Sequence, residues 1–163
     1  MSDTQRIIHP IPPLYDKYCT KLILGSFPSV KSREAQFFYG HPQNRFWRLI
    51  AELFNEEIPR TMEEKSELVL KHNIAMWDTI HSCTITGSSD SSIKDVVPND
   101  LSAILDNSRV TRIFANGTTS YNLYQKYIYP VTNIPAVKLP STSPANAAFS
   151  LERLKQSWNI ITE

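Results

Sequence analysis

Four short apolar runs, Lys21–Leu24, Ile74–Trp77, Val110–Ala115 and Ile134–Leu139, each end in a polar or glycine-bearing break and alternate with segments of helical periodicity. Runs of that length, bounded by turn residues, read as buried strands. Strands that alternate with helices form a parallel sheet covered on both faces, with the loops that follow the strands gathered at one edge. Ligands bind at that edge in open parallel sheets. The fold class is therefore expected to be α/β.

The intervening segments carry their own signals. Phe46, Ile50, Leu53 and Phe54 fall on one helical face, with Arg45, Arg48 and Glu52 off it. Thr61 and Glu64 form a TxxE capping box that opens a helix to about His72, where Asn73 stops it. Asn99 is placed to cap a short helix carrying Leu101, Ile104 and Leu105, and a tyrosine-rich helix is expected from about Thr118 to Tyr129. Ser143 is the expected cap of a last helix with Pro144 at its first position and a stripe of Ala148, Leu151, Leu154, Trp158 and Ile161. The stretch HSCTITGSSDSSIKDVVPND reads as one long loop over the working face. With 163 residues and no linker or repeat, one domain over 1–163 is expected, large enough to bury a core unaided.

Composition narrows the class of protein. The opening MSDTQRIIHPIPP lacks a signal-peptide core and no run is long enough to span a bilayer, so a soluble, cytoplasmic protein with no membrane partner is expected. Cys19 and Cys83 are far apart and fit reduced thiols. His9, His41, His72 and His81 follow no zinc spacing, so neither a metal nor another cofactor is expected. No heptad calls for an oligomer, which leaves a monomer. The net charge of +1 hides an uneven distribution: Lys17, Lys21, Lys31, Arg33, Arg45 and Arg48 face a single acid, Glu34, across one segment, whereas acids dominate from Glu52 to Asp106. A basic loop interleaved with aromatics suits nucleic acid, although scattered basic residues also make an ordinary solvated face.

The loops GSFPS, WDTIHSC, FANG and LPSTSPANA carry Ser, Asn, Asp and aromatic residues, with no GxSxxG elbow and no GxxxxGKS phosphate loop. Ser26 as a hydrolase nucleophile, or a small nucleotide-binding module, are weaker readings of the same loops.

Pairing of GSFPS with FYGHPQNRFW near the start, and of LPSTSPANA with a closing helix near the end, resembles the uracil-DNA glycosylase superfamily. The closest resemblance is to its sixth family, the hypoxanthine (deoxyinosine) DNA glycosylases, with WDTIHSC, GSSDSSI, ND and FANG in order between the end motifs. Such a resemblance implies a three-layer α/β/α sandwich with a central four-stranded parallel sheet. It also implies a monofunctional DNA glycosylase acting on DNA that contains a deaminated base. Many superfamily members place a water-activating Asp or Asn at the third position of the first motif, where this chain has Phe27. The hypoxanthine family's catalytic asparagine matches Asn44 in HPQNRFW. Mismatch-specific uracil glycosylases carry a similar segment, so a uracil or mismatch-specific enzyme is the nearest alternative, and a catalytically silent DNA-damage-binding module is one of a different class.

Residue roles follow from the chemistry. Breaking a purine N-glycosidic bond builds positive charge on the sugar and negative charge on the base, which calls for a placed water and charge stabilisation. The Asn44 carbonyl is expected to hold that water, or to cap the helix that follows, or both. A base extruded from the duplex must be stacked and read by its edge. Phe27 is the expected stacking ring, with Phe38 or Tyr39 as a second wall. Asp78 falls where superfamily members place a base-reading residue, which implies that its carboxylate accepts the N1 hydrogen of hypoxanthine, a hydrogen adenine lacks, although a capping or turn aspartate fits the same position; Asn116 is expected to touch the base or close a turn. Ser141, Thr142, Ser143 and Pro144 are expected to offer hydroxyls and helix-start amides to phosphate, with Lys31, Arg33 and Arg45 as backbone contacts.

Overall fold

The computed structural model of the chain describes residues 4–163. An edge strand β1 (Thr4–Ile8) precedes the first predicted strand β2 (Lys21–Gly25), after which come α1 (Val30–Ala35), α2 (Phe46–Leu53) and α3 (Met62–Lys71). Strand β3 (Ile74–Asp78) leads directly into β4 (Ile80–Thr86), then β5 (Lys94–Pro98) and the short α4 (Ser102–Asp106). The last third holds β6 (Arg112–Asn116), α5 (Thr118–Leu123) continued through a π-helical turn into α6 (Tyr129–Thr132), β7 (Ala136–Leu139) and α7 (Leu151–Trp158).

The four predicted strands form one parallel sheet in the order β3-β2-β6-β7. Side chains on a strand alternate between faces, and β2 shows the consequence: Ile23 enters one core while Leu22 and Leu24 enter another. Ile23, Met76 and Phe114 pack beneath Phe46, Leu49 and Ile50 of α2 and Leu154 and Trp158 of α7. On the opposite face Leu22, Ala75 and Ile113 meet Ile104, Tyr124 and Ile128. Each fully buried Leu or Ile contributes about 1.5–3 kcal/mol, so the two layers together hold the sheet in register. This is the expected α/β/α sandwich. Thr61 caps α3 through the Glu64 N–H while the Glu64 carboxylate accepts from the Thr61 N–H, as the TxxE spacing predicts.

Three expectations fail, each for a local reason. The segment after Trp77 is not one long loop: β1, β4 and β5 form a second, antiparallel sheet in the order β1-β4-β5. Its serines and glycine obscured the β-branched residues Thr84, Ile85 and Thr86, and Cys83 and Ile85 pack with Ile80 against Phe27. Its loop-like parts are the tip, residues 87–93 with the 3₁₀ turn Asp90–Ser92, and the exit at Asn99 and Asp100. Asn99 does not cap α4. Its amide donates to the carbonyls of Asp78 and Ile80, at 2.8 and 3.1 Å, and pins the β3–β4 junction, while Asp100 accepts the Ser102 N–H.

The last helix does not begin at Pro144. Ser150 caps it by accepting the Arg153 N–H, and the chain from Ser143 to Phe149 runs as turns. Arg45 supplies the reason: its guanidinium takes hydrogen bonds to the carbonyls of Thr142, Ser143, Asn146 and Phe149, so these acceptors face a side chain instead of helical N–H groups. No helix is long and apolar enough to cross a membrane among the described residues.

Candidate active site

A cavity of about 550 Å³ opens at the carboxyl edge of the parallel sheet, lined by all four post-strand loops. It takes Gly25 to Ser29 after β2, Asp78 at the end of β3, Asn116 after β6 and Ser141 to Ala145 after β7, together with Phe38, Tyr39, His41 and Asn44. Ser88 to Ser91, the tip of the second sheet, form the remaining wall. Its size is in the range of small-molecule sites.

Asn44 is half-buried on that wall, and its orientation is fixed. Oδ1 accepts the Phe46 N–H at 2.9 Å, which caps the start of α2, and the Thr142 hydroxyl at 2.9 Å. A backbone N–H can only donate, so the carbonyl oxygen must face it. Two donors fill the two lone pairs. The carbonyl expected to hold a water is therefore engaged, and Nδ2 is the polar atom of Asn44 that remains for a ligand.

Thr142, expected at phosphate, is fully buried and ties Asn44 to Asn116. Its N–H donates to Asn116 Oδ1 and its hydroxyl accepts from Asn116 Nδ2, both at 3.1 Å. The two ends of the chain's motifs are thus locked together through one threonine. Ser141, Ser143 and Pro144 stay on the cavity wall, where Ser143 accepts the Ala145 N–H.

Asp78 lies buried at the cavity floor with its Oδ2 2.7 Å from Nε2 of His9. His9 is also the acceptor of the Ile11 N–H through Nδ1, and its ring meets Phe27 and Trp77 edge-on. Sequence reasoning weighed His9 only as a zinc ligand, because a lone histidine beside a proline carries no signal; its partner lies 69 positions away. Gly25 lets the carboxylate in: a Cβ there would sit 2.4 Å from Asp78 Oδ1 and 3.2 Å from the Tyr39 hydroxyl.

Tyr39 has a positive φ of 53°, unusual for an aromatic residue, and stacks on Phe46 at 4.2 Å between ring centroids. Its hydroxyl is buried, with the Asn116 side chain beside it but no hydrogen bond of ordinary geometry among the described residues. Burial first, and then the field of Asp78, push the phenol well above its ordinary pKa, so it stays protonated. Phe27 lines the cavity with the Arg33 guanidinium 5.7 Å from its ring centre, while Phe38 is mainly a core residue that touches the wall.

Asp90 was not anticipated. Although the residue is exposed overall, its carboxylate accepts from Ser26 Oγ at 3.0 Å, and crowding around it, followed by repulsion from Asp78, raises its pKa. Ser26 thereby donates to a carboxylate, and no histidine is hydrogen-bonded to its hydroxyl among the described residues, so a Ser–His nucleophile pair is not assembled there. Among the expected phosphate contacts, Arg45 is consumed by the 142–149 turns and Arg33 donates to the carbonyls of Pro28 and Gly87. Lys31 is exposed, 3.7 Å from Glu34. No group of metal-ligating side chains is assembled among the described residues.

The model of the uracil DNA glycosylase superfamily matches residues 12–162. A hypoxanthine DNA glycosylase of Methanosarcina acetivorans is 34% identical over 151 residues, which span 92% of this chain and 94% of that one. A hypoxanthine DNA glycosylase of Methanosarcina barkeri is 30% identical over 149 residues, 90% and 92% of the two chains. A solution NMR structure from Methanosarcina acetivorans, described as a candidate uracil DNA glycosylase, aligns with a TM-score of 0.78 at 29% identity and covers 96% of this chain and 100% of its own. Matched almost end to end, with its cavity at the sheet edge, the chain belongs to the uracil DNA glycosylase superfamily.

Proposed function

We propose that this DNA glycosylase releases hypoxanthine from deoxyinosine in DNA, by adding water to C1′ of an extruded nucleotide and leaving an abasic site in an uncut strand. The observation that carries this reading is that Asn44 and Asp78, an amide and a carboxylate, line one cavity roomy enough for an extruded nucleobase. The names of the two Methanosarcina relatives support the choice of base.

In the reaction the C1′–N9 bond breaks, a C1′–O bond forms, and the proton lost by water ends on the purine. Because charge separates early, the enzyme needs a held water and a stabilised leaving group more than a strong base. Asn44 Nδ2 donates to the water oxygen and leaves one of its lone pairs for the sugar. Thr142 and the start of α2 keep the amide from turning. Phe27 stacks on the base, and Asp78 accepts its N1–H. No lysine lines the cavity among the described residues, in keeping with hydrolysis without a Schiff base.

The test is release of free base from oligonucleotides that carry deoxyinosine, uracil or xanthine at one position. The reading expects hypoxanthine release. Cleavage of uracil alone would make the protein a uracil or mismatch-specific enzyme, and binding without release would make it a silent damage-binding module.

A further inference from the structure

His9, Asp78 and Tyr39 make an arrangement with more information in it than a single base contact. The Ile11 N–H donates to His9 Nδ1 at 3.2 Å, so that nitrogen carries no proton and Nε2 does. Nε2–H therefore donates to Asp78 Oδ2. The other oxygen, Oδ1, has no donor among the described residues and lies against the bare backbone of Gly25. Beside the same point lies the buried Tyr39 hydroxyl; the neighbouring Asn116 amide has its oxygen taken by the Thr142 N–H, so no acceptor of ordinary geometry receives the phenol hydrogen among the described residues. An acceptor without a donor and a donor without an acceptor converge on one stretch of cavity wall.

Asp78 accepting the ring N–H being part of the reading above, we propose that the Tyr39 hydroxyl donates to the adjacent carbonyl, so that the two atoms read the lactam edge of the extruded base together, and that His9 is the positioning residue that holds Asp78 by Oδ2 and presents Oδ1 to the ring N–H. This rests on the glycosylase reading above and extends it to substrate selection. Hypoxanthine, xanthine and uracil all present an N–H beside a C=O. Adenine and cytosine present the reverse, a ring nitrogen acceptor beside an amino donor, and would leave the carboxylate facing a lone pair. Guanine shares the lactam, so the device separates lactam bases from amino bases and leaves the 2-amino group to other contacts. Deamination converts an amino edge into a lactam, which is the change this wall is built to detect.

The test uses the full chain and duplexes identical except for one glycosylase-resistant nucleotide, 2′-fluoro-deoxyinosine or 2′-fluoro-deoxyadenosine, with thermal melting to establish that each variant is folded. The wild type should prefer the inosine duplex. Tyr39→Phe keeps the ring on Phe46 and should weaken inosine binding about tenfold with adenosine unchanged. Asp78→Asn should cut the inosine-to-adenosine preference by about a hundredfold or invert it, because His9 will hold the amide oxygen and turn Nδ2 toward the base. His9→Ala should lose much of the preference and His9→Gln, which still donates, should retain it. A merely structural role for His9 would lower stability without moving that ratio.

If the folded variants all keep the wild-type ratio, or the wild type releases hypoxanthine yet shows no preference, the lactam reader is wrong and the glycosylase reading stands. If the wild type releases no base from deoxyinosine, that reading fails and the lactam reader fails with it. Should Asp78→Asn not fold, Tyr39→Phe and the His9 pair decide the matter alone.

Discussion

Replacing Arg45 with methionine separates two tasks that its sequence context cannot. Its guanidinium donates to the carbonyls of Ser143 at 2.9 Å, Asn146 at 3.1 Å, Thr142 at 3.4 Å and Phe149, and its backbone N–H donates to Thr142 at 3.1 Å. Hydrogen bonds from a charged donor contribute about 1.5–3 kcal/mol each when isolated. Arg45 is half-buried, so the freed carbonyls regain water in part, and the summed loss is about 3 kcal/mol. For a domain of this size that corresponds to a fall in Tm of about 6–12 °C. Removal of a phosphate contact would instead leave Tm alone and reduce the slope of log affinity against log salt by about 0.9. Thermal melting and a salt titration of duplex binding measure both quantities. A Tm within about 2 °C of wild type together with a shallower salt slope would refute the assignment of Arg45 to the 142–149 turns.

Asn44→Asp keeps the acceptor that caps α2 but removes the Nδ2 donor, so single-turnover base release should fall at least about tenfold; an undiminished rate would mean that acceptance, not donation, holds the water. Gly25→Ala drives a methyl group into the Asp78 carboxylate, 2.4 Å away, at a cost of about 1–3 kcal/mol. Activity on deoxyinosine should drop further than stability does, as read by parallel rate and melting measurements; equal wild-type values in both would show that Asp78 is not wedged there. The raised pKa of Asp90 means that the folded chain holds its proton above the ordinary carboxylate value of 3.8. Folding stability from this group is then highest below 3.8 and declines as pH rises from there through the raised folded pKa. Asp90→Asn should accordingly raise Tm at pH 7 relative to wild type and change it little near pH 3; the opposite pattern in a pH series of melts would exclude the assigned shift.

The sheet and its two helical layers were legible because each strand is a compact apolar run that ends in a turn residue, and because Phe46, Ile50 and Leu53 recur with helical spacing. The second sheet was not, since β1 carried no strand signal of its own and β4 read as part of a Ser-rich loop until the two pair across some eighty residues. Asn44, Phe27, Tyr39, Asp78 and Asn116 do converge on one cavity, as the loop positions imply. What each side chain does there depends on partners remote in sequence. Thr142 looked like a phosphate donor and is instead buried between two asparagines, and Arg45, next to the catalytic candidate, spends its donors on a turn a hundred residues away. His9 was invisible for the same reason: nothing local to HPIPP records a carboxylate across the sheet.

The most direct measurement is single-turnover release of free hypoxanthine from a deoxyinosine duplex by the wild-type chain and by Asn44→Ala. Loss of the Phe46 cap costs about 1 kcal/mol and loss of the acceptor for the buried Thr142 hydroxyl about 1–3 kcal/mol, so a melting curve and duplex binding are measured beside the rate to establish that the variant is folded. Wild-type release with a rate at least about a hundredfold lower for Asn44→Ala is the predicted result. Absence of hypoxanthine from the wild-type reaction, or equal rates for both proteins, would contradict it.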